Sequence, residues 1–169
     1  NDWSDIEAVT SALSDPSEAG TAALAEIVDI DHFLSFWALE VIVGHWDGYA
    51  GNRNNNYIYR EPDGRFMFIP WGPDSSFAHL DHPFDDLDRE DTPQSVTAHG
   101  GIAHRLYQDD STREDYLQRL RDLLDQVWDE DALLAEIDRM SDIVQEHALS
   151  STRGDAMQDT ERLRDFVME

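Results

Sequence analysis

The sequence predicts an α+β domain, mainly helical, with one central β-hairpin. Three features point there. An Asp63-Gly64 pair lies between two β-prone runs, Tyr57–Arg60 and Arg65–Pro70, which is a strong short-range hairpin signal. A run from Phe33 to Val43 is apolar on nearly every side, as a buried helix requires. Beyond Ile102, apolar residues recur at three- and four-residue spacing, as in Leu117, Leu120, Leu123, Leu124 and Val127, the period of a small helical bundle.

The elements follow in order. From Ser4 to Val28 the pattern is two short amphipathic helices, broken at Ser14-Asp15-Pro16 by a turn and helix-start signal. Asp31 is placed to cap the apolar helix, which stops at Gly44. From His45 to Asn56 the chain turns to Gly, Asn, Asp and aromatic residues, a composition for an ordered loop, where function most often sits. The hairpin comes next, then an irregular excursion from Trp71 to about His99, rich in Asp, Pro and His. Helices are expected over Ile102–Gln108, Tyr116–Val127, Ala132–His147 and Asp159–Val167.

Composition narrows the function classes. At 169 residues and 40% apolar, the chain is the size of a single domain with a real core, and residues 1–169 are expected to form one. Acids outnumber bases 37 to 12, for a formal net charge of -25; such a surface repels nucleic acid and anionic membranes, so no nucleic-acid partner is expected. All twelve basic residues are Arg, and the acids are spread along the chain rather than gathered in a tail. That describes a solvated acidic surface, suited to high ionic strength or to a GC-rich source. There is no cysteine, hence no disulfide framework or zinc-thiolate site. No apolar run reaches the roughly 18 residues of a membrane span.

The most informative string is His45-Trp46-Asp47-Gly48-Tyr49-Ala50-Gly51-Asn52, an H-x-D-x-x-x-x-N pattern on the loop after the buried helix. In protein kinases a loop of this kind uses its Asp to orient the acceptor hydroxyl and its Asn to hold magnesium, and a second Asp beyond a β-hairpin binds metal at the phosphates. The same order runs here: Asp47, an Asn cluster, the hairpin, then Asp74. Acidic and amide oxygens converging on a hard cation are what phosphate charge demands.

The surrounding residues sharpen this. His45-Trp46-Asp47-Gly48-Tyr49, then Asn55-Asn56-Tyr57-Ile58-Tyr59, then Phe68-Ile69-Pro70-Trp71-Gly72-Pro73-Asp74-Ser75-Ser76-Phe77 resemble the signature block of the CotH (spore coat protein H) kinase family, typically N-W-D, N-N-Y-Y-L-Y and F-x-I-P-W-D-x-D-x-S-F. Weaker similarity reaches from Val28 to about Ile143. The resemblance implies a domain like the C-terminal lobe of a kinase, with the hairpin beside the catalytic loop. It implies transfer of phosphate from ATP, with magnesium or manganese, to serine hydroxyls of a protein substrate, and an extracellular, cell-surface or spore-coat setting. Carried over by position, Asp47 is the catalytic Asp, and Asp74 is a metal ligand together with Asn52 or Asn55: counting forward from Asp47 picks Asn52, counting back from Tyr59 picks Asn55. Gly72 stands where the family pattern has its first Asp, and the chain lacks both a Lys and a G-x-G-x-x-G loop. The nucleotide-covering lobe is therefore expected to precede Asn1, and the isolated fragment is expected to be inactive.

Other features read as structural. His45 is expected to be a hydrogen-bonding residue rather than a base. Trp46, Phe68, Trp71 and Phe77 are expected to pack the core around the site rather than to form an adenine platform. His79, Asp81, His82, Asp85, Asp86 and Asp88 read as a solvated acidic loop, without the Gly an EF-hand needs. No G-x-S-x-G elbow marks a hydrolase. The rival to the kinase is a non-catalytic, pseudokinase-like binding or surface-assembly module, which the Gly at position 72 favours.

Overall fold

The structure, a computed structural model, describes residues 3–77 and 96–169. Its elements are α1 (Ser4–Ser14), α2 (Glu18–Ala25), α3 (Ile30–Ile42), β1 (Asn56–Arg60), β2 (Phe66–Pro70), a 3-10 turn (Pro73–Ser75), α4 (Gly101–Gln108), α5 (Asp110–Gln126), α6 (Glu130–His147) and α7 (Arg153–Met168). The strands form one antiparallel hairpin, so the described residues are mainly helical around a single two-stranded sheet. The cluster from His79 to Asp88 lies outside the described residues. None of the described helices is long and apolar enough to cross a membrane.

Helix α3 is central, as its composition dictates. Phe33, Leu34, Phe36, Trp37 and Ala38 are buried along it. Trp37 stacks on Tyr116 of α5 with ring centres 3.5 Å apart, and Phe33 meets Phe68 of β2 edge to face at 5.0 Å. Together these rings join helix, hairpin and bundle in one core. The cap of α3 is Asp29, whose carboxylate accepts the His32 N–H at 3.1 Å. Asp31, expected in that role, instead lies in the first turn and pairs with Arg119 of α5. A cap serves an amide two or three positions on from a non-helical backbone, and Asp29 is extended where Asp31 already lies within the helix.

In the hairpin, Tyr57 pairs with Ile69 and Ile58 with Phe68. Strand alternation sends Phe68 to the core, while Tyr57, Tyr59 and Ile69 stay exposed on the outer face. The chain before α3 also reaches the sheet: Val28 makes a parallel bridge to Phe66, and Phe66 donates to the Ile27 carbonyl at 2.7 Å. Sequence periodicity hides this bridge, because Val28 reads as the end of a helix.

Helix α4 falls where expected. Helices α5, α6 and α7 begin before Tyr116, Ala132 and Asp159, since their first turns are polar and carry no apolar period. Capping sets two of those starts: Asp109 accepts from the amides of Ser111 and Thr112, and Asp129 accepts from that of Ala132 at 3.0 Å.

Candidate functional site

The site begins at the end of α3. The His45 N–H reaches the Glu40 carbonyl at 2.8 Å and the Gly44 N–H reaches that of Val41 at 3.1 Å, the paired closure of a Schellman cap. Gly44 has φ of 57°, the left-handed conformation such a cap needs. The chain then folds across itself, with Asn52 N–H on the Trp46 carbonyl at 3.0 Å and Asn54 N–H on that of Gly48 at 3.3 Å. These cross-links bring position 52 back beside position 47.

Asp47 is thereby gripped from two sides. Its Oδ1 accepts the Asn52 side-chain amide at 2.7 Å, and its Oδ2 accepts that of Asn55 at 2.6 Å. Asn55 has φ of 44°, a left-handed conformation that Asn tolerates better than most residues. Both candidate asparagines thus meet the same carboxylate, so counting forward and counting back arrive at one cluster. With their NH2 groups turned to Asp47, neither amide oxygen accepts a hydrogen bond among the described residues, and neither is sealed from solvent.

A buried acid supports this loop from below. Glu40 is 3% exposed, and its two carboxylate oxygens accept the backbone amides of Tyr49 at 3.0 Å and Ala50 at 2.9 Å. Burial raises its carboxyl from an ordinary 4.5 to about 7, against the opposing pull of those two donors. A β-carbon at Gly48 would lie 2.5 Å from Glu40 Oε1, so the loop can approach the acid only because residue 48 lacks one. Sequence reasoning missed Glu40. The signal was present: it is the one charged residue in the run from Phe33 to Val43.

The segment after the hairpin is tied to the same loop. Trp71 N–H donates to the Asn55 carbonyl at 2.9 Å. His45 Nε2 lies 3.0 Å from the Gly72 carbonyl; because a carbonyl only accepts, the ring donates from Nε2 and turns Nδ1 toward Glu40 Oε1, 3.8 Å away. His45 is 4% exposed, a buried hydrogen-bonding residue as its sequence setting suggests. Gly72 has φ of 65°, and a β-carbon there would lie 3.1–3.4 Å from the side chain of Asn55. The position where the resemblance places an acid is thus filled from the other side by Asn55.

Asp74 sits in the 3-10 turn two residues further on and is exposed; among the described residues its carboxylate makes no hydrogen bond or ion pair. The structure brings Asp47, Asn52 and Asn55 into contact, and links Asp74 to them only through the backbone from Trp71 and Gly72. Among the described residues no three His, Asp or Glu side chains converge as a metal cluster. Of the four aromatic residues expected in the core, Phe68 is buried at 2% exposure and Phe77 packs on Phe166 at 5.7 Å. Trp71 is a correction: it is 58% exposed and meets Tyr57 on the outer face of the hairpin, ring centres 5.3 Å apart. The end of β2 sends residue 71 outward, away from Phe68.

A family model described as CotH kinase protein matches residues 1–165. The chain belongs to the CotH kinase family. It is also 30% identical over 106 residues to invasin CotH2 of Rhizopus delemar, covering 59% of this chain and 18% of that protein. The chain therefore spans under a fifth of that curated relative. No solved structure matches it. Membership in the CotH kinase family makes the chain kinase-like.

Proposed function

We propose that this chain is the acceptor- and metal-positioning portion of an atypical protein kinase that moves the γ-phosphate of ATP to serine hydroxyls of a protein substrate. The observation that carries the reading is the double hold on Asp47, whose two oxygens are fixed by Asn52 and Asn55. A carboxylate so fixed still has lone pairs with which to accept a serine hydroxyl proton and orient its oxygen for in-line attack. The donor set also suits a hard cation: two unengaged amide oxygens stand beside a carboxylate, and Asp74 offers a second, exposed one. A magnesium or manganese ion held by Asp74 with Asn52 or Asn55 would supply neutralisation of phosphate charge. The reading leaves the nucleotide-covering lobe, with a cation for the α- and β-phosphates, to another part of the protein. A cell- or spore-surface setting belongs to the same proposal, supported by the family membership alone.

A second reading has an observation of its own. Gly72 occupies a left-handed position against Asn55, a site built for glycine where the family pattern has an acid, which favours a non-catalytic binding or surface-assembly module. The two readings separate in one experiment. Full-length protein incubated with γ-labelled ATP, magnesium and a serine-bearing acceptor should label it, and Asp47→Ala should abolish labelling without loss of fold. Labelling that survives Asp47→Ala removes Asp47 from the chemistry; wild-type protein that transfers nothing and shows no metal-dependent heat with ATP supports the binding module.

A further inference from the structure

We infer that Glu40 and His45 form a positioning pair that sets the loop of Asp47 and the segment of Gly72 and Asp74 in fixed register. The role assigned to them rests on the kinase reading; the mechanical coupling itself does not.

Glu40 is an acid where the core has no use for one. Glu40 lies on a helix whose neighbours Phe36, Trp37 and Ala38 are buried apolar groups, and an apolar side chain would fill the same volume without the free-energy cost of burying a carboxyl. What Glu40 does is hold backbone. Its two oxygens each take one amide of consecutive residues, Tyr49 and Ala50, a fork that fixes the direction of the loop as well as its distance from α3. Those amides lie between Asp47 and Asn52, so the turn that returns Asn52 to Asp47 is built around them. Tyr49 extends the hold outward, its hydroxyl accepting the Ile102 amide at the start of α4 at 3.0 Å.

His45 carries the other half. One ring edge faces Glu40 Oε1 at 3.8 Å and the other donates to the Gly72 carbonyl at 3.0 Å. The ring therefore spans the gap between the helix that anchors the first loop and the backbone that leads to Asp74. The Phe77 N–H donates to the Val43 carbonyl at 2.6 Å, pinning the far end of that segment to the same helix terminus. Between these two anchors the backbone runs through Asp74, so its distance from Asp47 depends on the imidazole bridge. Neither Glu40 nor His45 faces the open side of the cluster; they act through Asp47, Gly72 and Asp74 and are not themselves catalytic.

The test is amide hydrogen exchange on the full-length protein, read separately over residues 47–56, 71–77 and α3. Glu40→Gln keeps the shape but turns one acceptor into a donor facing an N–H, and should speed exchange about tenfold in both 47–56 and 71–77 while α3 stays protected. His45→Ala should loosen 71–77 with α3 unchanged, and His45→Gln, which keeps a donor near the Nε2 position, should restore protection. Exchange in 71–77 that ignores both Glu40→Gln and His45→Ala overturns the inference. Loss of protection across all of α3 in both variants also overturns it, since that marks ordinary core support. Where transfer activity is measured in parallel, Glu40→Gln and His45→Ala should lower kcat, with any rise in KM for ATP smaller than that of Asp74→Ala. Coupled exchange in a protein without transfer activity leaves the positioning pair standing and removes only the kinase role.

Discussion

Asp47 is oriented by chemistry rather than by packing. Two side-chain amides hold its oxygens, so the account predicts unequal losses when each is removed. Asn55→Leu should cost more transfer activity than Asn52→Leu, because residue 55 has a φ of 44° that Asn tolerates and Leu does not and its side chain lies over the open face of Gly72; steady-state kinetics on the two variants checks this. Restoring the acid of the family pattern should fail. Gly72→Asp must adopt a φ of 65° and press on Asn55 at 3.1–3.4 Å, so it should destabilise by about 1–2 kcal/mol in urea melts. Glu40 predicts a pH signature. Its carboxyl is protonated in the fold up to about 7 but ionises near 4.5 when released, so the stability it contributes is complete below 4.5 and is lost as pH rises through about 7. The loss approaches about 3 kcal/mol. The difference in stability between wild type and Glu40→Gln, measured from pH 4 to 8, is the quantity to follow. Asp47, Asn52 and Asn55 were legible in the sequence because a loop motif lists its residues in order. Glu40 and the bridge from His45 to Gly72 were not, because a motif does not say which helix residue its backbone rests on.

Elements were legible in proportion to how strongly apolar periodicity marks them. The hairpin was announced by Asp63-Gly64 and α3 by its aromatic run, and both lie where their residues suggest. Helix starts written in polar residues were missed, since α5, α6 and α7 open on turns without an apolar face. The exchange of Asp31 for Asp29 as cap has a measurable consequence. Asp29→Ala should destabilise α3 by about 1 kcal/mol. Asp31→Ala, which removes only an exposed ion pair with Arg119, should cost less than that; thermal melts of the two variants give the comparison. Trp71 shows the limit of composition at this scale. A tryptophan next to a strand reads as core, yet its direction is fixed by strand alternation, and here that points outward.

At the scale of the molecule, charge is the dominant fact. A formal charge of -25 on 169 residues opposes compaction, and no Lys or Arg occurs before Arg53 to offset it. Raising salt from low to about 1 M should shrink the Debye length to about 3 Å and raise the melting temperature. That charge excess was legible at once; the backbone ties that hold Gly72 and Trp71 against the loop were not, since only folding brings those segments together. The decisive measurement is Mn2+-dependent ATP binding to the full-length protein by calorimetry, wild type beside Asp74→Ala and Asp47→Ala. The account predicts metal-dependent binding that weakens tenfold or more in Asp74→Ala, and persists in Asp47→Ala while phosphate transfer is lost. Nucleotide affinity that is the same with and without the metal, and unchanged by Asp74→Ala, would contradict it.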